Sequence, residues 1–234
     1  MRLRRSDERG HANRGWLDSY HSFSFSDYYD PKWMGFSVLR VINEDVIAPN
    51  KGFATHAHRD MEIITYIISG QLSHKDSLGN IETLYAGEVQ RMTAGTGIEH
   101  SEFNASGETP VHLLQIWIEP DQYDLPPSYE DSVFTDAQKH NQWCLIVADD
   151  TYEGSLKVHQ DMALYAAKLS ERKQLSYALK HRRNAYLHVV QGVVDINGER
   201  LGTGDAALFE DGEAIHVSAI QDAELLLFDL PPAT

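Results

Sequence analysis

The stretch from residue 52 to residue 70 reads GFATHAHRDMEIITYIISG and places two histidines at the front of an apolar, β-prone run. On a β-strand alternate side chains share one face, so His56 and His58 project together, and Glu62 joins them if the strand stays regular. Neutral imidazoles and a carboxylate suit a borderline divalent ion such as zinc, iron, nickel or manganese. The alternative is two solvated histidines on an exposed strand, because histidine is only intermediate in its tendency to be buried.

A second polar pair lies in GIEHSEFN, residues 97 to 104, where His100 and Glu102 again stand two positions apart. They share one strand face by the same alternation. If both strands belong to one small barrel, three imidazoles and a carboxylate converge in its interior. The sequence therefore predicts a metal centre, and spacing alone leaves open whether Glu62 or Glu102 supplies the carboxylate.

Short β-prone runs recur along the chain, among them FSVLRVI, VHLLQIWI, AYLHVVQG and LLLFDL, whereas long amphipathic helical patterns are scarce. SLGN at 77–80 and NG at 197–198 indicate hairpin turns. Many short strands with such turns predict an all-β sandwich or barrel. The segment EPDQYDLPPSYEDSVFTD, at 119–136, is rich in proline and acid, as exposed connections between domains are. We place a boundary within it, which gives domains at 1–125 and 126–234.

The order of the glycines indicates an internal repeat. Gly70 and Gly192 each end an apolar run, a hairpin turn follows each, and Gly87 and Gly204 come next. We infer one barrel built twice. The repeat matches the ligand candidates of the first half with these second-half residues: His56 with Ala178, His58 with Lys180, His100 with His216, and Glu102 with about Ser218. The second half would keep the architecture and lack the metal site.

The composition is that of an ordinary folded protein. Its 234 residues are 42% apolar and 24% charged, with a formal net charge of −15. This excludes a disordered chain and argues against direct binding of nucleic acid or an anionic membrane. Arg2, Arg4, Arg5 and Arg9 are mixed with acidic residues and are interpreted as a solvated terminus.

Features that direct a protein to other compartments are not found in the sequence. The N-terminal residues lack the apolar stretch of a secretory signal, and no run of about 18 apolar residues could span a membrane. The single cysteine, Cys144, cannot form an internal disulfide and is interpreted as a core thiol. We therefore expect a cytoplasmic protein.

The two histidine motifs resemble those of the cupin superfamily. A first cupin motif contains a glycine, a His-x-His pair, a glutamate and a second glycine, and a second motif contains a glycine, a turn, a histidine and an asparagine. The matching residues here are Gly52, His56, His58, Glu62 and Gly70, then Gly87, Gly95, His100 and Asn104. The second motif departs from the usual pattern, since Thr93 stands where proline is common and the gap from Gly95 to His100 is longer.

Within that superfamily the sequence resembles the pirin family, specifically its bacterial members. The resemblance runs from about residue 9 to the C terminus and rests on RGHANRGWLDSYHSFSFSDYYDP, THAHRDMEIITYI, MTAGTGIEHSEFN and LLLFDLPP. It implies an all-β bicupin, with two antiparallel β-barrel (jelly-roll) domains in one chain. The N-terminal barrel would hold one metal ion, and the C-terminal barrel would lack metal ligands.

The same resemblance implies the ligand set His56, His58, His100 and Glu102, because in pirins the fourth ligand is the glutamate two positions after the histidine of the second motif. Glu62 would then lie beside the site and orient an imidazole. The implied ion is iron, with manganese, nickel, cobalt, copper or zinc as alternatives, since such a donor set accepts several first-row ions.

Bacterial pirins and related cupins are associated with quercetin 2,3-dioxygenase activity. By this resemblance the substrates would be a flavonol such as quercetin and dioxygen, and Glu102 would accept the proton of the 3-hydroxyl. The central ring would be cleaved with release of carbon monoxide. Two alternatives stay open: a metal-dependent regulatory protein, like the mammalian pirins that act with transcription factors, and a cupin isomerase or epimerase. Oxygen consumption distinguishes the dioxygenase from both.

The other histidines are interpreted as structural. Those in polar surroundings are expected at the surface: His11, His74, His140, His159 and His181. Those in apolar strands, His112 and His188, are expected to be hydrogen-bonded core residues. His21 is a candidate for the pocket entrance. An aromatic cluster surrounds it and either packs the N-terminal segment over a barrel or walls the pocket for a flat substrate: Tyr20, Phe23, Phe25, Tyr28, Tyr29 and Trp33.

Overall fold

The computed structural model describes residues 1–149 and 153–232, which are almost entirely β-structure, with one short helix, α1 (Asp136–Lys139), and a 3-10 turn at Ser6–Glu8. The strands of the first half are β1 (Arg2–Arg4), β2 (Gly10–Asn13), β3 (Leu17–His21), β4 (Leu39–Ile47), β5 (Gly52–His58), β6 (Glu62–Ser69), β7 (Gln71–Asp76), β8 (Ile81–Tyr85), β9 (Glu88–Thr93), β10 (Ile98–Asn104), β11 (Val111–Ile118) and β12 (Ser128–Val133). The strands of the second half are β13 (Cys144–Ala148), β14 (Leu156–Lys157), β15 (Ala163–Leu169), β16 (Gln174–Ala178), β17 (Asn184–Gln191), β18 (Val193–Ile196), β19 (Glu199–Gly202), β20 (Ala206–Phe209), β21 (Ala214–Ala219) and β22 (Ala223–Leu230). No helix within the described ranges has the length and apolar character that a membrane span requires.

Four sheets make two barrels. The first barrel combines a seven-stranded sheet, in the order β12-β9-β6-β11-β4-β3-β2, with a four-stranded sheet, β5-β10-β7-β8. The second barrel combines β1-β20-β17-β22-β15-β13-β14 with β16-β21-β18-β19. The two barrels follow the same order, and the strand pairs described are antiparallel apart from the short pair β13 and β14. The predicted all-β bicupin is confirmed, and the strand order repeats in both halves. The expected residue matching is wrong by two positions: His56 stands opposite His100 as Ser176 stands opposite His216, so His56 corresponds to Ser176 and His58 to Ala178.

Two strands cross the division between the halves. β1, at the N terminus, pairs with β20 in the second barrel. β12 lies within the segment 119–136, which the sequence interpretation treats as a connection, and it pairs with β9 at the edge of the first barrel. That segment is therefore only partly a connection. The limits 1–125 and 126–234 remain a prediction, because the sheets exchange one strand in each direction.

Two N-terminal arginines have buried side chains with partners inside the fold, so the expectation of a solvated terminus is wrong for them. Arg4 is 1% exposed, donates a hydrogen bond to the backbone oxygen of Ser22 and lies over the ring of Trp33. Arg9 forms a 2.7 Å ion pair with Glu44. The local charge pattern could not show this, because a buried arginine is stabilised by partners that come from distant parts of the chain.

Hydrophobic packing divides into an interface layer and two barrel interiors. The largest cluster combines strands of both seven-stranded sheets, with Ile64 and Leu114 from the first half and Leu164 and Phe228 from the second. The interior of the second barrel is one continuous apolar cluster. The interior of the first barrel is split into two smaller clusters. Polar side chains fill the space between them.

The middle layer of each barrel interior is set by three residues that pair across neighbouring strands. They are Thr65, Gln90 and Gln115 in the first barrel, and Leu187, Ala207 and Leu227 in the second. The first set donates and accepts hydrogen bonds, whereas the second set has only apolar side chains. Because a buried polar group is costly unless it is hydrogen-bonded, this layer of the first barrel is suited to polar partners and that of the second is a packed core.

A close approach of β5 to β10 requires glycine at position 52. A Cβ on Gly52 would lie 2.1 Å from the backbone oxygen of Glu102 and 2.5 Å from the Cα of Phe103. Gly52→Ala is therefore expected to lower the free energy of unfolding by about 2 kcal/mol, the cost typical of overpacking. Urea denaturation of the purified variant measures this loss.

Gly202→Ala is the matched control, because its added Cβ meets no described atom within 4 Å. Its free energy of unfolding is expected to stay within about 0.5 kcal/mol of the wild type. Equal urea midpoints for both variants would contradict the steric role of Gly52.

Candidate metal centre

Strand pairing brings the histidines of the two motifs face to face. β5 pairs with β10 so that His56 stands opposite His100. His58 follows two positions later on the face of β5 that carries His56, so the three imidazoles share the interior of the first barrel. The register shifts between His100 and Glu102. Such a bulge re-aims the side chains beside it.

The three imidazoles form a cluster of metal-binding dimensions. One nitrogen from each of His56, His58 and His100 lies within 4.8 Å of the others. The ring centroids are 4.8 Å apart for His56 and His58, 4.5 Å for His56 and His100, and 4.9 Å for His58 and His100. His100 is 1% exposed, and the other two residues are half-buried and line a cavity.

Hydrogen bonding leaves ring nitrogens of this cluster free to bind a metal. His56 Nδ1 lies 2.8 Å from the backbone oxygen of Ala54, which places the proton on Nδ1 and leaves Nε2 with its lone pair. Nε2 of His58 and both nitrogens of His100 are buried without a hydrogen-bond partner in the described part of the chain. Buried polar atoms are normally satisfied, so these orphaned nitrogens fit a bound ion.

The electrostatics favour the neutral form of His58 and His100. Burial, together with the neighbouring rings of His100 and His56, lowers the pKa of His58 to about 4. Burial also lowers the pKa of His100. A neutral ring is the form that binds a metal, since binding requires an unprotonated nitrogen.

Glu102 lies beside the cluster and is held by amide donors. Its carboxylate is buried and accepts hydrogen bonds from Gln90 Nε2 at 2.8 Å, Gln115 Nε2 at 2.9 Å and Thr65 Oγ1 at 3.5 Å. These donors are the middle layer of the barrel. Glu102 belongs to a second group of candidate ligands, with His100 and His74, whose atoms lie within 4.8 Å of one another. The structure thus links Glu102 to the three-histidine cluster through His100.

Glu62, the other carboxylate considered from the sequence, lies in a different environment. It is 0% exposed and belongs to neither candidate group among the described residues. It accepts a 2.9 Å hydrogen bond from the Thr93 hydroxyl and lies 2.8 Å from Nδ1 of His159. Burial raises the pKa of Glu62. Its partner His159 comes from the second half of the chain, so this pair connects the halves.

His74 is buried at the site, and the expectation of a surface residue is wrong. It is 0% exposed, its ring centroid is 5.4 Å from that of His100, and it stacks on Tyr129 at 4.6 Å. Its Nε2 lies 3.0 Å from the carboxylate of Asp76. Alternation in QLSHKD contained the signal, because it places His74 on the same strand face as Leu72, an apolar residue that had to point inward.

The remaining histidines divide between surface and interior. His11, His140 and His181 are exposed, as expected. His112 is half-buried and lies 2.9 Å from Glu44, which agrees with a hydrogen-bonded position. His188 is 1% exposed but neither ring nitrogen has a partner among the described residues. The expected core position is confirmed for His188, and the expected hydrogen bond is not found.

A cavity of about 540 Å³ opens onto the histidine cluster. Its volume lies within the range of small-molecule sites. Its walls are mainly apolar and aromatic, with Trp16, Phe25, Phe53 and Trp117 among the lining residues. The ring of His58 meets that of Trp117 edge-on at 5.0 Å. The cavity therefore suits a flat aromatic ligand that reaches the cluster.

The aromatic cluster predicted around His21 serves both of the proposed uses. Phe23 and Trp33 are buried in the interface layer between the barrels. Phe25 and His21 line the cavity. Tyr29 is 71% exposed. The sequence could not separate packing from pocket walls, because both positions carry aromatic side chains for the same reason, burial of a large apolar surface.

Comparison with known proteins agrees with this architecture. Residues 2–118 match the Pirin family model, and residues 145–230 match the model of the quercetinase C-terminal cupin domain. The chain is 51% identical over 230 residues to a protein of Escherichia coli strain K12 named quercetin 2,3-dioxygenase, with 98% of each chain covered. It is 41% identical over 224 residues to a pirin-like protein of Caulobacter vibrioides, with 95% of this chain and 96% of that protein covered.

A solved structure shares the whole fold. The bacterial pirin YhhW from Escherichia coli, in complex with nickel(II), is 50% identical to this chain and superposes with a TM-score of 0.94 over 99% of each chain. The two matched family models cover both halves of the chain. By sequence and by fold, the chain belongs to the pirin family.

Proposed function

We propose that this protein is a metal-dependent dioxygenase that cleaves flavonols such as quercetin. The observation that carries the proposal is the cluster of three imidazoles with orphaned buried nitrogens, two of whose members line a cavity with aromatic walls. A relative named quercetin 2,3-dioxygenase and a nickel(II) complex of a bacterial pirin support it.

The proposed ligands are His56, His58, His100 and Glu102, and the proposed ion is one divalent first-row metal, with iron placed before manganese, nickel, cobalt, copper and zinc. Three neutral nitrogens and one carboxylate are a donor set that these ions share. When bound with an open coordination position, such an ion supplies positive charge that stabilises an anionic oxygen of the substrate.

Glu102 is the proposed proton acceptor for the 3-hydroxyl of the flavonol. The carboxylate is fixed by Gln90 and Gln115, which donate to different oxygens. A base that is held in place before the substrate arrives transfers the proton without first having to find its orientation. The aromatic walls orient the flat rings and exclude water from the deprotonated substrate.

The overall reaction adds both atoms of dioxygen to the flavonol. The two carbon–carbon bonds to carbon 3 of the central ring break, and carbon 3 leaves with its own oxygen as carbon monoxide. Both atoms of dioxygen enter the single remaining product, one as the ester carbonyl oxygen on the former carbon 2 and one in the carboxylate on the former carbon 4. One carbon monoxide is therefore released for each dioxygen consumed. Neither a binding protein nor an isomerase produces this result.

Quercetin turnover in air tests the proposal. Protein reconstituted in turn with iron, manganese, nickel and cobalt is expected, with at least one ion, to remove the flavonol absorbance together with oxygen uptake and carbon monoxide release. The control is the same concentration of each free ion. If protein that holds a full equivalent of metal never exceeds free metal with any of the four ions, the dioxygenase proposal is wrong.

A further inference from the structure

One wall of the cavity carries polar side chains that are not among the proposed metal ligands. β3 and β4 pair so that Ser19 stands opposite Asp45 and His21 stands opposite Asn43. All four line the cavity and are at most 5% exposed. They face a space whose other walls are mainly aromatic, so their hydrogen-bonding groups are available to a ligand in that space.

His21 lines the cavity and has a ring nitrogen that can accept a hydrogen bond. Its Nδ1 lies 2.8 Å from the side-chain oxygen of Asn43, and this contact requires a proton on Nδ1. Burial lowers the pKa of His21, so the ring is neutral near pH 7. In a neutral ring with the proton on Nδ1, Nε2 carries a lone pair and accepts a hydrogen bond.

Asp45 presents a second acceptor. One of its oxygens accepts the hydroxyl of Ser19. Asp45 is 4% exposed, and no lysine or arginine of the described ranges forms an ion pair with it. Burial raises the pKa of Asp45 to about 6, so it is mainly a carboxylate at neutral pH. A buried carboxylate with a single hydroxyl donor is under-satisfied and gains from further donors.

We propose that Asp45 and His21 recognise phenolic hydroxyls of the substrate, so that the cavity selects flavonols hydroxylated at positions other than carbon 3. This rests on the proposed function. The two residues are diagonal neighbours on paired strands, about 7 Å apart, and therefore meet different hydroxyls of one ligand. A site that offers acceptors rejects an analogue without the matching donors, because its buried polar groups are then left unpaired.

The test compares quercetin with 3-hydroxyflavone, which lacks all the other hydroxyls. Trp16 and Trp117 line the cavity, so quenching of tryptophan fluorescence reports binding by the metal-loaded protein. Exclusion of dioxygen prevents turnover during this measurement. The wild type is expected to bind quercetin at least about 10-fold more tightly than 3-hydroxyflavone, and Asp45→Asn to reduce that preference to about 2-fold or less. The ratio of kcat/KM values for the two flavonols is expected to change in the same direction.

Asp18→Asn is the matched control. Asp18 lies on the same strand as Ser19, but its side chain is 41% exposed and its carboxylate contacts His11 outside the cavity. Its preference is expected to equal that of the wild type. Ser19→Ala is the second variant and is used if Asp45→Asn does not fold. It leaves Asp45 in place and removes the hydroxyl that donates to it. Its affinity ratio for quercetin against 3-hydroxyflavone is expected to differ from that of the wild type.

The outcomes separate this inference from the proposed function. A folded Asp45→Asn protein with the wild-type preference overturns the role of Asp45 while leaving flavonol cleavage in place. A wild-type protein that cleaves both flavonols at equal kcat/KM also overturns the recognition of the other hydroxyls, and it leaves flavonol cleavage in place. A wild type that neither binds nor cleaves any flavonol overturns both proposals.

Discussion

Replacing both His56 and His58 by alanine is expected to lower bound metal from about one equivalent per chain to near zero and to abolish quercetin turnover. The double substitution leaves His100 as the only imidazole of the three-histidine cluster. Two of the four proposed donors are then gone. The ion would be left with His100 and Glu102, and with His74 as the one further candidate donor beside them, and we expect it to be lost on dialysis. Elemental analysis of the purified variant measures the loss.

The matched control removes two imidazoles elsewhere. His140 and His181 are exposed and belong to no candidate metal group among the described residues. Their double alanine variant is expected to keep one equivalent of metal and the wild-type rate. Full occupancy in the variant at positions 56 and 58 would show that the ion is bound elsewhere.

A stoichiometry of one ion per chain follows from the difference between the barrels. Neither candidate metal group in the described residues lies in the second barrel. The second interior is continuous and apolar. His216, which the repeat pairs with His100, is exposed and lies 3.0 Å from Ser176 Oγ. Two equivalents of metal in the wild type would contradict this account.

Strand alternation made the centre of the site predictable from sequence. Two residues separated by one position share a face wherever the strand stays regular. His56 with His58, and His100 with Glu102, are such pairs, and the structure brings the three histidines together inside one barrel. The repeated order of strands was likewise visible, because glycine turns recur at matching places in both halves.

Contacts between distant strands could not be predicted in the same way. Gln90 and Gln115 are ordinary polar residues in strand patterns, and only the pairing of both β9 and β11 with β6 places them around Glu102. Tyr129 lies in a segment that looks like an acidic connection, yet its hydroxyl donates a 3.2 Å hydrogen bond to Gln90. Local sequence contains no information on which edge a strand joins.

Glu102→Gln is expected to lower kcat for quercetin by about 100-fold or more, the range that loss of a general base produces. Glutamine keeps almost the same volume, so the barrel interior is not emptied. It is neutral, cannot accept the proton of the 3-hydroxyl, and presents an amide nitrogen to one of the donors Gln90 and Gln115. Steady-state kinetics, with metal analysis on the same sample, measures the effect for each bound ion.

Glu99→Gln is the control, because Glu99 lies on the same strand, is exposed and loses the same charge. Its kcat is expected to stay within about 2-fold of the wild type, because Glu99 is exposed and a surface substitution changes the folding free energy by only about 0.5 kcal/mol or less. The metal content of Glu102→Gln separates its two proposed roles: loss of a ligand lowers occupancy, whereas loss of the base lowers kcat for each ion that remains. Glu102→Gln removes the charge and the proton acceptor together and keeps the side-chain volume. If the metal-loaded Glu102→Gln protein has an undiminished kcat, the carboxylate takes no part in the chemistry and is only a structural partner of the two glutamines.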